Sequence, residues 1–93
     1  MKLNLKNKNA LVCGATGGIG KASALALAEE GVNVTLVARN EDKLKAVLEE
    51  LDHQQGQNHH YIVADFSSPE VLKEKIEEAT KTKAYHILLN NTG

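Results

Sequence analysis

One cysteine, one proline, no tryptophan and only three aromatic residues (Tyr61, Phe66 and Tyr85) occur in a chain of 93 residues. The lone Cys13 excludes an internal disulfide framework and fits a reducing compartment. Three aromatics are too few for a base-stacking platform. With 11 Lys and Arg against 12 Asp and Glu, the formal charge is -1 and no like-charged block stands out. Such a chain has no field to gather nucleic acid or an anionic membrane surface. No apolar run approaches the roughly 20 residues of a membrane span. The polar start, MKLNLKNKNALV, lacks the apolar region of a secretory signal. These absences predict a soluble cytoplasmic domain, small but large enough for one core.

Glycine is present but unevenly spread: 4 of the 7 fall within VCGATGGIG, at Gly14, Gly17, Gly18 and Gly20. Inside a helix or strand each would cost roughly 0.5–1 kcal/mol relative to alanine, so the cluster needs a local reason. A turn between a strand and a helix supplies one. Its bare backbone would bring unpaired amides and the positive end of a helix dipole against a pyrophosphate. Small residues such as Ala22 and Ala26 would then let that helix lie close to the sheet. A triphosphate loop of the form G-x-x-x-x-G-K-[ST] is the competing reading, with Gly20-Lys21 and Asp65 as its parts. Its first glycine falls on Ala15 and its magnesium-binding hydroxyl on Ala22, so the match fails at two positions. A tightly packed turn that binds nothing is the third reading.

The rest of the chain alternates short apolar runs with helical patterns. Residues 9–13, 32–37, 60–64 and 86–89 read as strands, apolar on both faces. A helix over about 18–30 stops at Gly31. Asn40 can cap a second helix, with Glu41 and Asp42 suited to its dipole and Leu44, Val47, Leu48 and Leu51 on one stripe. After the polar loop 53–58, Ser67 and Ser68 read as cap residues before Pro69. Leu72, Ile76 and Ala79 form the third helix's buried face. The pattern βαβαβαβ predicts an α/β fold, a Rossmann-like doubly wound parallel sheet of strand order 3-2-1-4. Gly14, Arg39, Asp65 and Asn90 all follow strands, so they gather at one sheet edge. Strand four would be an apolar edge strand, which is expected if residues 1–93 are the N-terminal part of a longer domain. His53, His59 and His60 lack fixed ligand spacing and read as exposed loop histidines, with no metal expected. Cys13 reads as a small buried thiol.

Four stretches together resemble the N-terminal part of the classical short-chain dehydrogenase/reductase family, and within it the 3-oxoacyl-acyl-carrier-protein reductases. VCGATGGIG is similar to the family's T-G-x-x-x-G-I-G turn, with Cys13 in place of threonine. Val37-Ala38-Arg39-Asn40 resembles the end of strand two in NADP-dependent members. Ala64-Asp65-Phe66 resembles the aspartate step after strand three, and Asn90-Asn91-Thr92-Gly93 the family's N-N-A-G. The resemblance implies that Gly14, Gly17, Gly18 and Gly20 shape the cofactor turn. Thr16 would offer a hydroxyl, and the Ile19 amide would meet the phosphate or nicotinamide ribose. Arg39 and Asn40 would lie at the adenosine end. Asp65 would accept from the adenine amino group, with Phe66 supplying backbone contact. Asn91 and Gly93 would line the adenine ribose, while Asn90 would brace the sheet beside strand three. Ala38 is uncharged where NAD-binding members carry a carboxylate, and the Arg39 fork suits phosphate. NADP is therefore expected over NAD, although many NADP-using relatives carry a basic residue where this chain has Gly17.

The family's chemistry is hydride transfer between nicotinamide and a carbonyl or alcohol, such as a 3-oxoacyl thioester, aided by serine and Tyr-x-x-x-Lys. Neither Tyr61, followed four residues on by Asp65, nor Tyr85, followed by Leu89, forms that pair. The catalytic residues are expected beyond Gly93, and residues 1–93 alone should be inactive. A homo-oligomer is expected of the full-length protein, with a small-molecule or acyl-thioester substrate and no nucleic-acid or membrane partner. The alternative is a dinucleotide-binding regulator without chemistry.

Overall fold

The computed structural model describes residues 6–65, 67–82 and 84–90. Strands β1 (Asn9–Cys13), β2 (Asn33–Ala38), β3 (His60–Val63) and β4 (Ile87–Asn90) alternate with helices α1 (Gly18–Glu29), α2 (Glu41–Glu50) and α3 (Pro69–Thr82). All three strand pairings are parallel, and the order is β3-β2-β1-β4, as the sequence predicts. The elements lie within a residue or two of their expected bounds. β2 runs on to Ala38, whose carbonyl accepts from the Ala64 N–H at 2.9 Å, so the pairing itself sets its end.

Strand side chains alternate between faces, and each face has its own core. Ala10, Val12, Val34, Leu36 and Ala38 pack with α1 and α2 through Ala24, Ala28, Leu44, Val47 and Leu51. Leu11, Cys13, Val37 and Ala64 pack on the opposite side with Ile62, Leu72, Ile76 and Tyr85. Two crossovers therefore cover one face before α3 returns across the other. The Tyr85 hydroxyl reaches into the second core and donates to Thr35 Oγ1 at 3.1 Å, which satisfies the buried polar residue of β2.

The small-residue face of α1 is out of phase with expectation. Ala22 and Ala26 are exposed, and the buried stripe is Gly20, Ala24 and Ala28, spaced one turn apart. The decisive contact is at Gly20, where an added Cβ would overlap the Gly14 carbonyl oxygen and lie 3.3 Å from Ala15 Cα. Only glycine lets α1 close onto the end of β1. At the other end of α1, Gly31 adopts φ +86°. Its N–H donates to Ala28 O at 3.0 Å and the Val32 N–H to Leu27 O at 3.1 Å, a Schellman closure. Gln57 in the polar loop adds a 2.6 Å bond from Nε2 to the Ala28 carbonyl.

The amino ends of the strands are joined by side chains. Asn9 Nδ2 donates to Ala84 O at 2.9 Å, Asn33 Nδ2 to Asn9 Oδ1 at 3.1 Å, and the Asn58 N–H to Asn33 Oδ1 at 2.9 Å. Two histidines complete the edge: the Asn9 N–H donates to His86 Nδ1 and the Val34 N–H to His59 Nδ1, both at 3.0 Å. His59 Nε2 lies 2.7 Å from Asp52 O, so the ring accepts at Nδ1 and donates at Nε2. His59 is thus a half-buried strand anchor, which corrects the expectation of a loose loop histidine. Among the described residues no group of three or more His, Cys, Asp or Glu is placed to hold a metal.

Candidate functional site

The carboxyl ends of β1, β2 and β3 open into a cleft of about 380 Å³ lined by Gly14, Thr16, Ala38, Arg39, Asn40, Lys43, Asp65 and Ser67. A groove of about 450 Å³ lies elsewhere, between β3 and α3, with Tyr61, Ile62, Val63, Lys75, Glu78 and Ala79 on its walls. It touches none of the residues that follow strand ends. Ligands of doubly wound sheets bind beyond the carboxyl ends of the strands, so the smaller cleft is the candidate site.

The glycine turn builds the cleft's floor and flank. Gly14 has φ +73°, and its N–H donates to Val37 O at 2.8 Å, which ties the end of β1 to β2. Gly17 is the α1 N-cap in extended backbone and offers no side-chain acceptor to the first-turn amides. Added Cβ atoms at Gly17 or Gly18 would meet nothing within 4 Å, although Gly18 has φ +56° and needs glycine for that reason. Gly17 is different. Neither backbone angle nor packing calls for glycine there, and its effect is to leave open space before the helix mouth. Ile19, in the first turn, is 74% exposed.

The adjacent α2 is closed. Asn40 Oδ1 accepts the Lys43 N–H at 3.1 Å, and Glu41 and Asp42 sit in the first turn. Of the two neighbouring helix mouths, α2 is capped by its own residue, whereas α1 lacks a side-chain cap. Uncapped first-turn amides suit an anion, so the α1 mouth is the one open to a guest.

On the third side, Asp65 Oδ1 accepts the Ser67 N–H at 2.9 Å. That bond, and a second from the Ser67 hydroxyl, hold the Asp65 carboxyl below its ordinary range, with a further pull from the Arg39 charge. Asp65 is exposed and ionised at neutral pH. Ser67 thus serves Asp65 rather than capping α3, which corrects its reading as a cap residue. The cap position before Pro69 falls to Ser68, whose carbonyl accepts the Leu72 N–H at 3.1 Å.

Gly14, Thr16, Arg39, Asn40 and Asp65 therefore share one cleft, with Gly17, Gly18, Ile19 and Gly20 in the α1 entrance beside it. Phe66, Asn91 and Gly93 lie outside the described residues. Asn90 ends β4 opposite Cys13 of β1, and two strands separate it from β3, so it does not brace the sheet beside strand three. Cys13 is buried, and desolvation pushes its thiol pKa up, as a small core residue requires. Lys21, the lysine of the triphosphate-loop reading, pairs with Glu50 of α2 at 3.0 Å. Two lining residues were not read from the sequence as site residues: Lys43, which was not singled out, and Ser67, which was read as a cap. Ser67 stands two residues after Asp65, the spacing of an Asx turn.

A family model for short chain dehydrogenase matches residues 8–93. The chain belongs to the short-chain dehydrogenase family. Among curated relatives, the human "Inactive hydroxysteroid dehydrogenase-like protein 1" (Homo sapiens) is 46% identical over 84 residues, covering 90% of this chain and 26% of that protein. The very-long-chain 3-oxoacyl-CoA reductase of Anas platyrhynchos is 40% identical over 84 residues, covering 90% of this chain and 27% of that protein. Among solved structures, L-sorbose reductase from Gluconobacter frateurii, complexed with NADPH and L-sorbose, matches with a TM-score of 0.86 at 31% identity. The match covers 100% of this chain and 36% of that one. NAD+-bound xylitol dehydrogenase matches with a TM-score of 0.85 at 30% identity, over 98% of this chain and 35% of that one. The chain thus spans about a quarter of the length of these curated relatives.

Proposed function

We propose that the protein is an NADP(H)-dependent oxidoreductase acting on a carbonyl or alcohol, a 3-oxoacyl thioester among the candidates, with residues 1–93 as the front of its dinucleotide-binding domain. The observation that carries the cofactor choice is Arg39 in the cleft at the end of β2, directly after uncharged Ala38. A carboxylate at that strand end would bind ribose hydroxyls and repel a 2′-phosphate, whereas a guanidinium pairs with phosphate oxygens. The residues present fit the group. Open space before Gly17 and Gly18 suits a pyrophosphate at the α1 mouth. Thr16 offers a hydroxyl from the same cleft. Ionised Asp65 is an acceptor for an exocyclic amino group. When bound, the nicotinamide supplies the hydride, and these residues only hold and orient the nucleotide. Kinship with 3-oxoacyl-CoA, sorbose and xylitol oxidoreductases supports a carbonyl or alcohol substrate. An oligomer in solution belongs to the same proposal.

Titration of the full-length protein with NADPH and NADH, followed by nucleotide fluorescence, tests the cofactor. Arg39→Ala should weaken NADPH by about 1.5–3 kcal/mol and leave NADH nearly unchanged. Equal affinity of the unaltered protein for the two nucleotides would overturn the choice.

A second reading is favoured by the human relative whose name marks it inactive: a nucleotide-binding protein without chemistry. Turnover of carbonyl substrates by the full-length protein, and a serine with Tyr-x-x-x-Lys beyond Gly93, separate the two.

A further inference from the structure

We propose that Lys43 is the second cation of the 2′-phosphate site and sets the preference for NADPH over NADH. The inference rests on the NADP reading above and adds a residue to it.

Lys43 stands at the third position of α2, and its N–H is fixed by Asn40 Oδ1 at 3.1 Å, so the side chain starts from a defined point beside Arg39. Both side chains line the same cleft. Three other lysines are engaged elsewhere: Lys21 with Glu50, Lys73 with Glu77, and Lys75 with the Val63 carbonyl. Among the described residues, neither Arg39 nor Lys43 has a carboxylate within ion-pair reach. Of the two first-turn acids, Glu41 accepts a hydrogen bond from the Tyr61 hydroxyl at 3.1 Å, and neither it nor Asp42 lines the cleft.

Charge makes the second cation necessary. Asp65 lines the cleft and is held ionised by Ser67. With Arg39 alone, the charges lining the cleft would cancel. A phosphate monoester carries about -1.5 to -2 charges near neutral pH, so a neutral cleft gains little from the extra phosphate. Lys43 turns the balance positive, and Gly17 contributes no charge from the turn. As a mobile ammonium, Lys43 can meet a phosphate oxygen that the planar Arg39 fork leaves free.

The test is equilibrium binding of NADPH and NADH to the full-length protein, at low and high salt, for the unaltered chain, Lys43→Ala, Lys43→Gln and Lys43→Arg. Thermal melts confirm that each variant folds. Lys43→Ala and Lys43→Gln should weaken NADPH about tenfold and NADH less than twofold. Lys43→Arg should keep most of the preference, and the salt dependence of NADPH binding should drop in the two neutral variants. NADPH affinity unchanged in both neutral variants, or equal losses for both nucleotides, overturns the role of Lys43. In those cases the NADP reading stands or falls separately, on Arg39→Ala. No preference in the unaltered protein would overturn both together.

Discussion

The two ends of the sheet use polar residues in opposite ways. At the amino end Asn9, Asn33, His59 and His86 tie the strands together through hydrogen bonds within the protein. At the carboxyl end Gly17 and Gly18 carry no side chain, the α1 mouth has no side-chain cap, and Arg39 and Lys43 line the cleft with no ion-pair partner among the described residues. Hydrogen bonds satisfied internally add stability and bind nothing else. Groups left without partners cost stability unless a guest or water answers them. One edge fastens the strands; the other is kept open for a ligand.

The largest test strikes the residue on which both ends depend. Gly20→Val puts a branched side chain into the Gly14 backbone, where even a Cβ overlaps. It should destabilise the fold by about 3 kcal/mol in urea melts and abolish nucleotide binding. A variant that folds and binds normally would mean that α1 need not touch β1. His59→Ala probes the fastened end alone. It leaves the N–H of buried Val34 without its acceptor, for an expected loss of about 1–3 kcal/mol with NADPH affinity unchanged. A fall in affinity with no change in stability would erase the contrast between the ends. The smallest effect is expected at Asp65, which is exposed. Its folded pKa lies below the ordinary 3.8, so its ionised form adds stability above that value, and the gain is lost as pH falls through the lower folded pKa. Urea midpoints measured from about pH 5 to pH 2 should therefore decline less steeply in Asp65→Asn.

Much of this was legible along the chain because the signals are local. Asn40 sits before two acids and an apolar stripe, Gly31 stands just past the C-cap of α1, and each strand is a short apolar run. The gathering of Gly14, Arg39 and Asp65 follows from parallel topology alone. The phase of α1 was not legible. GIGKASALALAE is small or apolar almost throughout, so its periodicity has little contrast, and Ala22 looks as suitable for burial as Ala24. His59 and His86 acquire their roles only when register sets them against Val34 and Asn9, partners 25 and 77 residues away. Lys43 hides in a helix whose other charges face solvent. The cleft alone separates it from Lys45.

The ammonium of Lys75, resting on the Val63 carbonyl at 2.6 Å, sets the two margins of the sheet apart. A foreign strand seeking that carbonyl would have to displace its charged donor, and a lysine at a sheet edge discourages such adhesion. On the opposite margin, β4 shows the uncharged Leu88, 64% exposed. The two margins thus differ in kind, one with a charged donor laid on its backbone and the other with an exposed apolar side chain.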